Sequence, residues 1–392
     1  MVKPGIQVLR DAGWAPLLNR SVCALVHAAS ALPDTLVHTV DALHGSGVNL
    51  TAVLAPEHGF RGDRQAEHGD PASYIDNSTG LAVYSVYRRN QTSMRALLEQ
   101  LACNSILVDI QDVGVRLYTF VWTMYDVMQA AGALPAPPVV VIADRPNPLG
   151  GDIVAGPLLN LSLASRYGRL PVTHLHGLTI GELARYFVGT LGAAASPLEV
   201  VSMRGWRRAM PFSATFLPWL PPSPNLPTYD TAVAYGATVF VEATTVSEGR
   251  GISTPFQSIV APWINASALR ARLGGASVGA ARWRETFAIP TWWKFNGSVC
   301  AGVQLVRPDA DAAFADGVRL LVALRNVSPP GRFQWDGSWF GWEGATLFDR
   351  YAGTDQLREL IDGGATPEAV VASFARDEET WRRARARYLI YS

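Results

Sequence analysis

The sequence has few cysteines, no polybasic block and no long apolar run, and each absence argues against a class of protein. Cys23, Cys103 and Cys300 show neither CxxC nor metal-ligand spacing, and three cysteines allow at most one disulfide. The formal net charge is zero, and the 33 basic residues, of which only Lys3 and Lys294 are lysine, form no polybasic block. We therefore expect no nucleic-acid partner and no membrane-surface partner. No apolar run reaches the roughly 18 residues that a membrane helix needs.

Motifs for several common chemistries are also missing. No Gly-x-Gly-x-x-Gly follows an early strand and no P-loop occurs, so a nucleotide-dependent enzyme is the weakest functional hypothesis. No Gly-x-Ser-x-Gly elbow occurs, which disfavours a serine nucleophile of the α/β-hydrolase type. His174 and His176 have the spacing of two metal ligands on a strand, but no carboxylate-rich partner lies at helical spacing beside them. We expect neither a metal nor another cofactor.

What is present predicts a globular protein with a large core. The chain has 392 residues, of which 48% are hydrophobic and 17% are charged, and this is enough for two domains. Its 12 tryptophans offer flat faces of the kind that carbohydrate sites use, although most of them are expected to pack cores and domain seams. The sequence gives no indication of an oligomeric state.

The first half alternates between apolar strands and helices. Strands are predicted at 21–27, 50–55, 105–110, 139–143 and 198–203, and helices at 34–43, 93–102, 118–131 and 180–191. Continuous apolar strands separated by helices of this length are typical of a parallel sheet that is covered on both faces. The predicted fold class is α/β, with a Rossmann-like parallel sheet.

The composition of the sequence changes after residue 211. Residues 218–227 contain five prolines, which neither a helix nor a central strand tolerates. The predicted domains are therefore a Rossmann-like domain at 1–215, a connecting loop at 216–230 and a smaller α+β domain at 231–392 that closes the cleft. In this second domain we predict strands at 232–243 and 300–306 and helices at 309–325 and 365–388.

Three predicted strands end in dense polar sequence, each with a carboxylate, an arginine and glycine or proline. Ligands of open parallel sheets bind beyond the carboxyl ends of the strands, so these segments are expected to meet at one site. The residues are Glu57, His58 and Arg61 after the second strand, Asp109, Asp112, Arg116 and Tyr118 after the third, and Asp144, Arg145 and Asn147 after the fourth.

The second half adds an acidic segment with closely spaced glycines. In Ser247-Glu248-Gly249-Arg250-Gly251, glycine on both sides of Arg250 favours a tight backbone next to a ligand. Pairing Glu57 with Glu248 would give the two carboxylates that glycosidases use, one to protonate the leaving oxygen and one to stabilise or attack the sugar centre or to activate water. The alternative is that Glu248 forms an ion pair with Arg250 or Arg116 that only orders the cleft.

Glycosylation sequons are more frequent than chance allows. Of 11 asparagines, eight begin Asn-x-Ser/Thr, where about one in eight is expected by chance. They are Asn19, Asn49, Asn77, Asn90, Asn160, Asn265, Asn296 and Asn326. This excess indicates a secreted protein or one of a lysosomal or vacuolar lumen. The first residues lack the apolar stretch of a signal peptide, so the other expectation is a cytoplasmic location.

Nine stretches spread over nearly the whole chain carry a family resemblance. They are PEHGFRG (56–62), TGLAVYSVY (79–87), DIQDVGVRLYTF (109–120), DRPNPLGG (144–151), GLTIGELARYF (177–187), LPWLPPSPNLPT (217–228), VSEGRGISTPF (246–256), APWI (261–264) and the terminal RYLIY. By these stretches the chain resembles the exo-β-N-acetylmuramidase family of the NamZ type, glycoside hydrolase family 171. The resemblance implies release of terminal N-acetylmuramic acid from the non-reducing ends of peptidoglycan fragments, in a cleft between two domains.

By the same resemblance, Glu57 is the general acid/base. The resemblance places the other polar residues named above along the cleft, together with Asn225. Muramic acid carries a lactyl carboxylate, for which Arg116 and Arg250 are the candidate ligands. Two segments depart from the family pattern, His27-Ala-Ala-Ser30 and residues 64–69. They motivate an alternative function, a carbohydrate-binding or sensing protein that keeps the cleft without the chemistry.

Overall fold

The computed structural model describes residues 1–65, 71–274, 282–344 and 346–392. Most of the changed segment at 64–69 lies outside these ranges. Within them, no helix combines the length and the apolarity that a membrane crossing requires.

The first half is built on a seven-stranded sheet. The strands of this half are β1 (Ser21–Val26), β2 (Asn49–Ala55), β3 (Ser73–Ile75), β4 (Ala82–Ser85), β5 (Ser105–Asp109), β6 (Val139–Ala143), β7 (Ala155–Leu158), β8 (Thr173–Leu175) and β9 (Leu198–Val201). The sheet order is β3-β4-β2-β1-β5-β6-β9, and every pair except β3–β4 is parallel. The short strands β7 and β8 pair separately. The six parallel strands follow the order of doubly wound Rossmann folds, as predicted.

Helices cover both faces of the sheet because its central strands carry buried apolar side chains on both faces. In β1, Val22, Ala24 and Val26 join one core cluster, whereas Cys23 and Leu25 join the other. The helices of this half are α1 (Gly5–Asp11), α2 (Thr39–His44), α3 (Gln91–Leu101), α4 (Thr119–Gly132) and α5 (Ile180–Leu191). Helices α1 and α2 contact the sheet on the first side, and the other three cover the second.

One predicted helix of the first half begins later than expected. The prediction started at residue 34, but α2 begins at Thr39. A tight turn precedes it, in which the N–H of Leu36 donates to the carbonyl of Leu32 at 2.8 Å and Leu36 has a φ of 57°. The Asp34 side chain is bound by Arg10 at 2.7 Å and does not cap the helix. The short strands β3 and β4 were not predicted, because strands of three and four residues carry little periodicity.

The second half contains a small antiparallel sheet and seven helices within the described ranges. The strands are β10 (Ser258–Ala261), β11 (Arg282–Ala288) and β12 (Cys300–Arg307), in the order β10-β12-β11. The helices are α6 (Tyr229–Thr238), α7 (Ala266–Arg272), α8 (Ala313–Val327), α9 (Thr346–Ala352), α10 (Gln356–Asp362), α11 (Pro367–Ala372) and α12 (Ala375–Arg385).

The predicted strand at 232–243 is wrong, because this segment forms α6 and a short 3-10 helix, Val239–Ala243. Every residue of 231–243 is buried, so the segment is enclosed on all sides and shows no amphipathic period. A short apolar run of this kind does not distinguish a buried helix from a buried strand.

The predicted helix at 365–388 is divided into α11, α12 and a final 3-10 turn.

The two halves share one apolar core. The larger core cluster runs from Ile106 and Ile142 in the sheet to Phe240 and Phe314 in the second half without a break. The chain end returns to the first half, where the indole N–H of Trp381 donates to the carbonyl of His176 at 2.9 Å. The domain division at residues 215 and 231 stays a prediction, since packing crosses it.

A disulfide links two segments of the first half, and a buried arginine connects the first half to the second. Cys23 of β1 is bonded to Cys103, just before β5, with Cα atoms 5.9 Å apart, and Cys300 is a free, buried thiol. The guanidinium of Arg116 is fully buried and donates to four carbonyls at 2.7 to 2.9 Å. Two belong to Pro157 and Val172 of the first half, and two to Tyr351 and Ala352 at the end of α9.

We expect Arg116→Met to lower the free energy of unfolding by at least about 3 kcal/mol, because each buried polar group left without a partner costs about 1–3 kcal/mol. Arg270→Met, at an exposed position of α7, is the matched control and should change it by less than about 0.5 kcal/mol. Urea unfolding followed by circular dichroism measures both variants. Equal stability of the two would show that Arg116 does not join the halves.

Candidate active site

A cavity of about 50 Å³ lies between the two halves, beyond the carboxyl end of β2. Its wall combines acidic, aromatic and hydroxyl side chains with one arginine. The lining residues are Glu57, His58, Tyr87, Leu117, Tyr118, Thr119, Tyr167, Ser223, Leu226, Tyr235, Glu242, Arg250, Phe256, Phe340 and Tyr351. A wider surface groove near Asp152 and Arg307 contains none of the predicted site residues. The cavity at Glu57 is therefore the candidate active site.

Glu57 reaches the cavity because the chain turns sharply after β2. The turn requires positive φ at His58, which has a φ of 74°, and at Gly59. At Gly62, also with positive φ, a Cβ atom would lie 2.6 Å from the Cβ of Ala28, so a larger residue does not fit. The half-buried Glu57 carboxylate accepts a hydrogen bond of 2.7 Å from the hydroxyl of Thr119, the first residue of α4. The turn and this hydrogen bond together fix the carboxylate at the cavity wall.

Aromatic hydroxyl groups line much of the remaining wall. Burial raises the pKa values of Tyr118, Tyr235 and Tyr351 well above their usual range, so all three stay neutral. The hydroxyl of Tyr351 donates to Glu242 at 3.0 Å. The buried hydroxyl of Tyr118 has no hydrogen-bond partner among the described residues. A buried donor of this kind is available to a bound ligand.

Four charged side chains form a buried row that ends at the cavity. Lys294 lies 3.2 Å from Glu248, Glu248 lies 3.1 Å from Nε of Arg250, and Arg250 donates to Glu242. Lys294 also donates to four backbone carbonyls, including that of Glu242 at 2.9 Å. The signs alternate along the row, so each buried charge has an opposite neighbour.

The pKa values in this row depend on both burial and charge pairing. Burial raises the pKa of Glu242, and the positive charge of Arg250 opposes part of that rise. Burial also disfavours the charge of Arg250, but Glu242 and Glu248 outweigh it and raise the pKa of the guanidinium. Arg250 therefore stays positive at the cavity wall.

The sequence predicted four of the residues that line this cavity: Glu57, His58, Tyr118 and Arg250. Asn225 lies beside the wall residues Ser223 and Leu226, and its amide donates to Gln65 at 3.1 Å.

The predicted partner carboxylate Glu248 is placed behind the wall. Its side chain is fully buried between Lys294 and Arg250. The structure thus shows the alternative in which Glu248 forms an ion pair with Arg250. Glu242, six residues earlier, lines the cavity instead. Arg116 is also outside the wall, because the carbonyls at the end of α9 and in the first half bind its guanidinium.

Other predicted residues hold the loops at the sheet edge. Arg145 forms a buried ion pair with Asp109 at 2.6 Å, beside the strand-order reversal between β1 and β5 where Rossmann folds bind nucleotides. Asp112 accepts hydrogen bonds from the N–H of Gly114 at 2.8 Å and from Nε2 of His176 at 3.1 Å. Because Nδ1 of His176 accepts from the backbone of Leu178, Nε2 carries the proton. These side chains fill the crevice with protein atoms.

Three further predicted residues lie outside the cavity wall and form hydrogen bonds or ion pairs within the fold. Asp144 accepts from Tyr391 at 2.6 Å and from Gly181, the second residue of α5, and burial raises the pKa of Asp144 to about 7. Asn147 donates to the carbonyl of Leu178 at 3.0 Å. Arg61 binds two carboxylates, that of Asp41 at 2.8 Å and that of the buried Asp76 at 2.9 Å.

The hypothesis of a metal-binding histidine pair finds no support in the described ranges, which bring together no group of three His, Cys, Asp or Glu side chains suited to a metal. Nε2 of His174 lies 2.8 Å from the carbonyl of Gly236, and its ring stacks on Phe240 at 4.4 Å. Burial lowers the pKa of His174 to about 3. This histidine is a neutral core residue.

Sequence reasoning missed Glu242 and most of the tyrosines. Glu242 stands alone as an acid in the apolar run Val239–Ala243, and an isolated charge in a buried segment is a usable signal for a site. Tyr167, Tyr235 and Tyr351 come from distant parts of the chain and carry no shared motif. Only the tertiary structure brings them together.

Comparisons with known proteins cover both halves. The family described as exo-β-N-acetylmuramidase NamZ, N-terminal, matches residues 22–230, and its C-terminal counterpart matches residues 233–391. The peptidoglycan β-N-acetylmuramidase NamZ of Bacillus subtilis (strain 168) is 36% identical over 394 residues, which span 100% of this chain and 91% of that protein.

Two solved structures share the fold. They are DUF1343 family proteins from Bacteroides fragilis NCTC 9343, BF0371 and BF0379. Their TM-scores are 0.84 and 0.78 and their identities 28% and 27%, and in each case the match covers 100% of this chain and 99% of the other. With both halves matched in order, the chain belongs to the NamZ family of exo-β-N-acetylmuramidases and is a glycoside hydrolase.

Proposed function

We propose that the protein removes terminal N-acetylmuramic acid from the non-reducing ends of peptidoglycan fragments, with Glu57 as the general acid/base. The observation that carries this proposal is the half-buried Glu57 carboxylate, fixed by Thr119 in a cavity rich in hydroxyl groups. A fixed carboxyl group at hydrogen-bond distance from a leaving oxygen is what glycoside cleavage requires. The full-length similarity to a peptidoglycan β-N-acetylmuramidase supports this substrate class.

Glu242 is our candidate for the second carboxylate. It shares the cavity wall with Glu57, whereas the side chain of Glu248 is enclosed by Lys294 and Arg250. In this proposal Glu57 protonates the leaving oxygen. Glu242 then stabilises the positive charge that develops at the anomeric carbon or orients the nucleophile, which is water or the acetamido group of the substrate.

Arg250 is our candidate ligand for the lactyl carboxylate of muramic acid. It is the arginine of the cavity wall, and its charge is maintained by the two neighbouring glutamates. A guanidinium forms paired hydrogen bonds with a carboxylate, which a sugar without the lactyl group lacks. This contact would favour muramic acid over N-acetylglucosamine at the cleaved end.

Glu57→Gln should lower kcat on a chromogenic N-acetylmuramide by about 100- to 10,000-fold, because the amide no longer donates or accepts the transferred proton. Glu99→Gln, at an exposed position of α3, is the matched control and should keep full turnover. Circular dichroism checks that both variants fold. Full activity of Glu57→Gln would exclude this role, and saturable binding by the unmodified protein without product would favour a carbohydrate-binding function.

A second pair of variants tests whether Glu242 or Glu248 is the second carboxylate. Glu248→Gln leaves the buried charge of Lys294 without its carboxylate, so we expect a loss of about 3–5 kcal/mol in unfolding free energy. Glu242→Gln should mainly lower kcat, measured per folded molecule. If folded Glu248→Gln is inactive while Glu242→Gln turns over normally, Glu248 is the second carboxylate.

A further inference from the structure

An aromatic cluster continues outward from the cavity wall. It consists of Phe340, Trp293, Trp292 and Trp339, and we call it the aromatic platform. Phe340 lines the cavity, and its ring centroid lies 5.4 Å from that of Trp293. Trp293 is in turn 5.1 Å from Trp292 and 5.6 Å from Trp339, whose side chain is 45% exposed. The platform therefore leads from the candidate active site to solvent.

The segment that carries Trp292 and Trp293 of the platform is fixed on both sides. Before it, the N–H and hydroxyl of Thr291 both donate to the carbonyl of Gly251 at 3.0 Å. Gly251 lies so close that a Cβ atom there would be 2.4 Å from the carbonyl oxygen of Trp292. After it, Lys294 is inserted into the buried charge row.

Trp293 itself has a left-handed backbone, with a φ of 71°. This conformation is unfavourable for a bulky residue and persists only where the surrounding structure imposes it. Here the contacts of Thr291 and Lys294 impose it, and the result is that the indole is held beside Phe340. A rigid, partly exposed aromatic surface next to a catalytic cavity is suited to binding a ligand.

We propose that the aromatic platform binds the sugar on the leaving-group side of the scissile bond, by stacking of that sugar on Trp339 and Phe340. This inference rests on the proposed function. An exo-acting enzyme holds the terminal sugar in the cavity, so the rest of the saccharide must leave past the wall residues. Phe340 connects that wall to the exposed face of Trp339 through Trp293. The apolar C–H face of a pyranose packs against such rings.

The test compares two substrates that differ only beyond the cleaved bond, methyl β-N-acetylmuramide and the disaccharide N-acetylmuramyl-β-1,4-N-acetylglucosamine. Trp339→Ala should lower kcat/KM for the disaccharide about 3- to 10-fold, the value of one aromatic contact, and leave the methyl glycoside within about 2-fold. Trp339→Phe should retain most of the disaccharide activity. Phe287→Ala, at an exposed aromatic of β11, should change neither substrate.

Two outcomes separate this inference from the proposed function. If the unmodified protein cleaves both substrates and Trp339→Ala affects neither or affects both equally, the platform is not a sugar subsite. If the unmodified protein cleaves neither, the proposed function fails, and calorimetric affinities for the same two ligands test the platform instead. A selective loss of disaccharide affinity in Trp339→Ala supports the platform in that case, and equal affinities overturn it.

A second, independent observation concerns the asparagines of the glycosylation sequons. All eight sequon asparagines are exposed, whereas two of the three remaining asparagines, Asn147 and Asn225, are buried. None of the eight lines the cavity. Three of them, Asn90, Asn160 and Asn265, accept a helix-capping hydrogen bond through the side-chain oxygen. The amide nitrogen, which would carry a glycan, makes no hydrogen bond at any of the eight within the described residues.

We infer that these asparagines carry N-linked glycans and that the protein resides in the secretory pathway or in a compartment that it supplies. Such modification requires exposed sequons, and all eight meet this requirement. The disulfide between Cys23 and Cys103 is a separate indication, because disulfides persist in oxidising compartments and are rare in the cytosol. None of these glycans would be attached to a residue of the cavity wall.

Mass spectrometry of protein purified from its native cells tests this inference. The intact mass should exceed the 42.3 kDa of the chain and fall after peptide-N-glycosidase treatment in heavy-oxygen water, which labels each modified asparagine. Asn104, exposed but outside a sequon, should remain unlabelled. Thr92→Ala should remove the label at Asn90 and keep its helix cap, while Thr92→Ser should retain the label. An unmodified native mass would overturn the inference.

Discussion

The buried charge row is the interaction on which the candidate site depends. Lys294, Glu248, Arg250 and Glu242 are all within the protein interior, where an unpaired charge would cost several kcal/mol. Their alternation of sign removes that penalty, and the carbonyl contacts of Lys294 hold the segment that carries Glu242. The inner end of the row stabilises the fold, and the outer end places a carboxylate and a cation at the cavity.

The charge row places Glu242 at the cavity. The position of Glu242 relative to Glu57 is fixed only because the wall that carries Glu57 is also held in place. Glu57 comes from the first half of the chain and Glu242 from the second, so any rotation between the halves would change the cavity. One continuous apolar core and the four carbonyl contacts of Arg116 oppose that rotation. The same segment that supplies Lys294 carries Trp293, so the platform and the charge row share one support.

Most polar residues at the sheet edge stabilise loops. Asp109 with Arg145, and Asp112 with His176, satisfy each other in the crevice that a nucleotide occupies in other doubly wound proteins. The parallel sheet therefore serves as a rigid base for Glu57, and the cavity lies to one side of the crevice. This arrangement explains how the fold supports a glycoside hydrolase without a phosphate-binding loop.

The sequence by itself determined the parallel sheet, the position of Glu57 at the end of β2 and the family, because apolar periodicity and contiguous motifs are local properties. It also identified Arg250 through its flanking glycines. Only the tertiary structure decided that Glu242 lines the cavity and that Glu248 and Arg116 are enclosed. Whether a charged side chain faces a cavity or a buried partner depends on residues distant in the chain. Lys294 lies 46 positions after Glu248, and no local pattern connects them.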